Sequence, residues 1–228
     1  MKTFILLFSL LFLFCTLAFS DPMTAQPCTS ETLDNYVSLG STGCTLGSLL
    51  FSNFTFGSSA MGTGVLVPTS SQISVAPQTS ANNAGFVFDA ALSPGAGQSQ
   101  DVTIDYVVRV LSGGPMITDS ALSAVVSGSA SAGMTECVGG TLPGCSGGTA
   151  TGLTANSTNL AVSNTFTGTS TVGVATDITA NANNTISDET VSFSTGDAVT
   201  PEPASLLLLG TGLLGLALVI RRKAAAVR

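Results

Sequence analysis

Hydrophobic residues fall into three regimes along the chain. Phe4 to Leu17 is a nearly unbroken apolar run behind Met1-Lys2-Thr3. From Asp21 to Thr200 apolar residues come singly or at every second position, set among Ser, Thr, Gly and Asn. Ala204 to Ile220 is again apolar and uncharged, and Arg221-Arg222-Lys223 follows it. The two flanking runs have the length and uniformity of membrane-directed segments. The long middle has the short period of strands.

The clearest strand is Asp101 to Val110. Its even positions, Val102, Ile104, Tyr106, Val108 and Val110, are apolar and face a core, while Asp101, Thr103, Asp105 and Arg109 face outward. Phe54/Phe56 and Phe86/Phe88 show the same two-residue period. Further short strands are expected at Ile73–Val75, Leu122–Val126, Leu160–Val162, Thr171–Ala175 and Val191–Phe193, separated by Gly, Pro and Asn clusters. Ser30 to Leu39 alone suits one or two helical turns, with Ser30 as its cap. Many short strands with turn signals between them predict an all-β fold, an antiparallel, jelly-roll-like β-sandwich. The alternative is a β-solenoid over the Thr/Ser/Asn-rich stretch from Thr149 to Thr190, although no fixed repeat period is present there.

The N-terminal run ends in Ala18-Phe19-Ser20, with small residues at −3 and −1 before Asp21. This is the pattern of a secretory signal peptide over residues 1–20, cleaved between Ser20 and Asp21. Cys15 is not a lipidation site, because the bulky Phe14 precedes it. A helix over Ala204–Ile220, at about 1.5 Å per residue, spans roughly 25 Å, near the short end of what crosses a bilayer core of about 30 Å. The basic cluster after it places that end in the cytoplasm and the body outside. Before it, Pro201 and Pro203 fix their own φ and extend the residues that precede them, so Pro201-Glu202-Pro203 is a stiff, extended segment beside the membrane.

Tripeptide, apolar run and terminal basic cluster, in that order, resemble the PEP-CTERM sorting signal. The matching residues are Pro201, Glu202, Pro203, Arg221 and Arg222, and the resemblance covers only Val199 to Arg228. It implies a Gram-negative bacterium that makes exopolysaccharide, and recognition by an exosortase, an integral-membrane cysteine protease or transpeptidase. It implies cleavage near the tripeptide, transient residence in the inner membrane, and delivery to the cell surface or the extracellular space. The resulting organisation is a signal peptide (1–20), an exported β domain (21–198) and a sorting signal (199–228), the last divided into a transmembrane helix (204–220) and a basic tail (221–228). The segment from Cys28 through Gly43-Cys44 to Phe54 is also similar to the opening of some PEP-CTERM exported proteins, which implies a small β domain and no activity.

Charge narrows the function of the body. Between Asp21 and Thr200 the only cation is Arg109, and it faces every carboxylate of the chain except Glu202; the chain has no His. A surface so poor in Lys and Arg excludes nucleic acid as a partner. Cys28, Cys44, Cys137 and Cys145 form an even set in an exported region, which reads as disulfides. Four cysteines allow three connectivities, and proximity favours Cys28–Cys44 and Cys137–Cys145. Zinc would require closer ligand pairs or His.

Catalytic readings meet similar obstacles. Without His there is neither a Ser-His-Asp nor a Cys-His arrangement. Asp101/Asp105 and Asp188/Glu189 are the candidate acid–base pairs. Asp101 and Asp105, on one strand face, lie roughly 13 Å apart at about 3.3 Å per residue, too far for either glycosidase geometry. Adjacent Asp188 and Glu189 point to opposite faces, and both pairs read as solvated surface carboxylates. No cofactor is expected. Structural Ca²⁺ is the one metal that the oxygen-rich composition suits, but no EF-hand or nonapeptide motif names its ligands. Phe54, Phe56, Phe86 and Phe88 fit core packing better than a sugar-stacking platform. The sequence therefore predicts a non-enzymatic surface or extracellular-matrix protein. The alternatives are a carbohydrate-binding or adhesive module, with exopolysaccharide or surface glycans as ligand, and, behind it, a secreted hydrolase.

Overall fold

The computed structural model describes residues 25–196. The expected signal peptide, the Pro-Glu-Pro tripeptide, the membrane helix at 204–220 and the basic tail lie outside the described residues. Within them, no helix is long and apolar enough to cross a membrane.

Among the described residues thirteen strands form two sheets. In chain order they are β1 (Gln26–Pro27), β2 (Glu31–Thr32), β3 (Cys44–Leu46), β4 (Leu49–Met61), β5 (Ser74–Ser80), β6 (Asn83–Leu92), β7 (Ser99–Val110), β8 (Ile117–Val126), β9 (Ser131–Val138), β10 (Thr149–Asn156), β11 (Ala161–Thr169), β12 (Thr171–Asn181) and β13 (Ile186–Thr195). The seven-stranded sheet runs β1-β3-β4-β7-β12-β9-β10, and the six-stranded sheet runs β11-β8-β13-β6-β5-β2. Every pairing is antiparallel except the two-residue contact of β1 with β3. The stretch 149–190 places β10 and β12 in one sheet and β11 and β13 in the other, so it belongs to an antiparallel sandwich and not to a solenoid.

Alternation along each strand sets the core. Val102, Ile104, Tyr106 and Val108 of β7 are buried, Val110 packs against the core from its edge, and Arg109 is exposed. Phe86 and Phe88 of β6 and Val191 and Phe193 of β13 meet them from the other sheet. Removing each such side chain from water contributes about 1.5–3 kcal/mol. Two bulges reset the alternation. On β4 the register shifts between Ser52 and Thr55, where Asn53 has φ of 57°, so Phe51 and Phe54 both point inward although they are three residues apart. On β13 the register shifts between Ile186 and Asp188, and Ile186 and Glu189 both point inward for the same reason.

The predicted helix is α1 (Leu33–Ser38), shorter than the expected stretch because Glu31 and Thr32 are spent in β2. Its cap residue is Thr32, not Ser30. Leu33 and Tyr36 are its buried residues, and the Tyr36 hydroxyl donates to the Thr29 carbonyl at 2.7 Å. The two cysteine pairs that proximity favours are the ones joined: Cys28–Cys44 and Cys137–Cys145, each with Cα atoms 5.0 Å apart. The first ties β1 to β3. The second closes the loop after β9.

Arg109 is flanked on both sides in the ladder, opposite Leu50 of β4 and Thr171 of β12. A protease must draw an extended backbone into its cleft, and this one is held in the middle of a sheet. The folded body is therefore expected to resist trypsin, while the reduced, denatured body is cut at Arg109 into two pieces visible by mass spectrometry. Rapid cutting of the folded protein at Arg109 would contradict the central place of β7.

Candidate functional site

Three places in the body gather chemistry. The first is a groove on the outward face of the seven-stranded sheet, with a volume of about 350 Å³. Val107 lies on its floor, Asn53, Thr55, Asp105 and Arg109 supply polar groups, and Thr141, Leu142 and Pro143 form a wall. That wall is the loop closed by Cys137–Cys145, folded back over the sheet. The approach depends on Gly173 of β12, which is paired with Val107: a Cβ there would stand 2.9 Å from the Leu142 nitrogen and 3.0 Å from the Thr141 Cα. The loop covers Val107, which is why an outward-facing position of β7 is only 7% exposed. Thr55 donates a long hydrogen bond of 3.5 Å to Asp105, and partial burial holds the Asp105 carboxyl above its ordinary range despite that bond. The groove thus offers an apolar floor, one carboxylate, one guanidinium, an amide and hydroxyls. The Asn53 bulge and the disulfide loop bring these together from distant parts of the sequence, and no spacing in the chain announces them.

The second place is on the same sheet face. Asp101 is not joined to Asp105, but pairs across strands with Asp177 of β12. The Thr179 hydroxyl lies 2.9 Å from an oxygen of each carboxylate. Burial, and then the neighbouring Asp177, raise the Asp101 carboxyl. The sequence hides this pair because it depends on the register Asp101↔Thr179. Two carboxylates at one hydroxyl compete for it, so one of them gains by holding a proton.

The third place is interior, and it overturns the expectation that Asp188 and Glu189 are both solvated. They do point to opposite faces, but Glu189 lies in unbroken two-residue register with Val191 and Phe193 and points with them into the core, where it is fully buried. Asp188 stays half-buried and accepts a hydrogen bond from Ser187 at 2.8 Å. Glu136 of β9 is buried too, beside Thr151 and Asn164, which donate to it at 3.3 and 3.4 Å. Neither Glu189 oxygen has a hydrogen-bond partner among the described residues, and neither has the hydroxyl of the buried Tyr106. Thr176 sits next to Glu189 but gives its proton to the Ile104 carbonyl at 3.3 Å. Burial therefore pushes the Glu189 carboxyl up to about 8, with the charge of Asp177 adding to the shift, and Glu136 is raised by burial as well. As a neutral acid, Glu189 becomes a donor for the Thr176 oxygen, which an ionised carboxylate cannot be.

Among the described residues no group of three or more His, Cys, Asp and Glu has metal-binding geometry. Phe54, Phe86 and Phe88 are core residues and are closed to a sugar ring. The sorting residues Pro201, Glu202, Pro203, Arg221 and Arg222 lie outside the described residues.

Glu189 generates a pH dependence of known sign. Its carboxyl titrates near 4.5 when unperturbed and at about 8 in the folded chain. Between those values the folded chain keeps a proton that the unfolded chain has released, so stability is fully present below about 4.5 and is lost as pH rises towards 8. The size is roughly 3–5 kcal/mol. Thermal unfolding at pH 8 is expected at a clearly lower temperature than at pH 5, and Glu189→Gln flattens most of that difference. An equally steep pH profile in Glu189→Gln would show that the dependence comes from elsewhere.

Comparison with known proteins bears on the tail. No curated protein matches this chain. Among solved structures, the chain is similar to the enzymatically active domain of bacteriophage CBA120 tailspike protein 4 at 13% identity and a TM-score of 0.25. That similarity covers 62% of this chain and 19% of the phage chain, and it is too slight to bear on fold or activity. Residues 199–223 match the family model of the PEP-CTERM protein-sorting motif. The chain thus carries a PEP-CTERM sorting motif directly after its β-sandwich, which supports its being an exported exosortase substrate.

Proposed function

We propose that the body is a non-enzymatic module of the cell surface or extracellular matrix, released from a temporary membrane anchor by exosortase processing of the tail. The observation that carries the reading is the position of the sorting motif at 199–223, just beyond a compact sandwich whose last strand ends at Thr195. Everything from the motif onward can be removed without taking away any of the described strands. The body suits an oxidising, extracellular setting through its two disulfides. It presents water with hydroxyls and amides in place of a field of mixed charges.

The groove beside the Cys137–Cys145 loop favours a second reading, the carbohydrate-binding module. An apolar floor with planar polar groups at its margins matches the alternating apolar and hydroxyl faces of a sugar ring. Its single carboxylate, Asp105, supports binding over hydrolysis, which needs two.

The sorting reading is tested by replacing Glu202 and Pro203 with Ala and measuring the C-terminal mass and the location of the protein in hosts with and without exosortase. The wild-type chain is expected to lose its tail and leave the inner membrane only where exosortase is present. The variant keeps its tail in both hosts. A wild-type tail that stays intact in both would reduce the motif to a plain anchor.

A further inference from the structure

The two sides of the sandwich treat their open edges differently. An unpaired edge strand offers free N–H and C=O groups to any other strand, and proteins guard such edges with short strands, Pro, charge and bulges. One side here carries every one of these guards. β1 and β2 are two residues long, β1 contains Pro27 and is tied down by Cys28–Cys44, and β2 contains Glu31. Beyond β2, the free stretch of β5 contains Pro77, and β4 is bulged at Asn53.

The other side ends in β10 and β11. No charged residue lies between Glu136 and Asp177, so both strands are wholly uncharged, and neither contains Pro. β11 is broken by a register shift between Thr165 and Thr169. β10 is not: all of its residues, Thr149 to Asn156, pair with β9 in continuous register. Among the described residues nothing pairs with its other edge up to Ala155. Its outward positions Ala150, Gly152 and Thr154 are small and exposed. It is a regular edge without charge, Pro or bulge.

Charge identifies the occupant. Two copies of a body with one cation and many carboxylates repel each other almost everywhere. The uncharged segment 137–176 is where two copies can approach without that cost. We propose that β10 pairs antiparallel with β10 of a second copy, joining two seven-stranded sheets across a two-fold axis. Because the same edge is used by both copies, the contact closes on itself and gives a dimer, not a filament. The opposite, guarded side prevents further growth.

The test uses the full chain, extracted from an exporting host in nonionic detergent and sized by light scattering with the detergent contribution subtracted. The wild-type chain is expected at twice the mass of one chain at micromolar concentration. Thr154→Glu places a charge on each copy at the shared edge and is expected to give single chains, whereas Thr63→Glu, on an exposed turn outside both sheets, keeps the dimer. Hydrogen exchange on the unaltered protein tests the same contact without a mutation. Amides of 149–156 should exchange several-fold more slowly at high than at low protein concentration, while those of 161–169 should not change. Single chains of wild type at all concentrations would overturn the proposal. So would a Thr154→Glu dimer, which would assign association to the tail, or exchange at 149–156 that ignores concentration.

Discussion

Phe86 stands where the two sheets are fused, and the rest of the body is arranged around that contact. Its ring meets Phe51 of the opposite sheet edge-on at 4.7 Å, and Tyr36 of α1 at 5.4 Å. Phe54 then stacks on Tyr106 at 5.0 Å, and Tyr106 reaches back to Phe88 at 6.1 Å. Edge-to-face and offset pairs of this kind contribute about 0.5–1.5 kcal/mol beyond their buried area. The seam also explains the bulge on β4. In an unbulged strand Phe51 and Phe54, three residues apart, would lie on opposite faces, and one of them would be lost to solvent. The same bulge puts Asn53 and Thr55 at the margin of the outer groove, so one backbone device serves both the core and the surface site.

Against that apolar seam, the interior carries two acids that a stability argument alone would remove. Glu136 keeps partners in Thr151 and Asn164, whereas Glu189 has none and is driven to its neutral form. A body with so few cations cannot neutralise buried carboxylates by ion pairing, so protonation is the remaining route. The surface follows the same logic. Asp101 and Asp177 share one hydroxyl, and the stretch from Cys137 to Thr176 dispenses with charge altogether.

How much of this the sequence shows depends on where the two-residue period is undisturbed. β7 was legible because Val102, Ile104, Tyr106 and Val108 alternate with polar residues, and β12 and β13 were legible in part for the same reason. β9 and β10 were not, because Ala132, Gly133, Gly152 and Ala155 are too small to mark a face. Glu189 continues the period of Val191 and Phe193, so its inward position was legible and only its being a carboxylate argued for solvent, whereas the Asp101–Asp177 pair was hidden by a register that only the folded sheet fixes. The groove joins Asn53, Asp105 and Thr141 across long stretches of chain, and no local pattern could have grouped them. The sorting motif was the most legible feature because it works as a linear signal: its tripeptide, apolar run and basic cluster are read in order along the chain.

The central claim is that the sheets are held as one cooperative unit by the aromatic seam. A double-mutant cycle on Phe51→Leu and Phe86→Leu, followed by denaturant unfolding of the protein with its disulfides intact, tests it most directly. The account predicts that the two substitutions together cost less than the sum of the separate losses, by about 0.5–1.5 kcal/mol, in a single transition. Losses that add within about 0.3–0.5 kcal/mol, or two separate transitions, would show that the sheets do not depend on that contact.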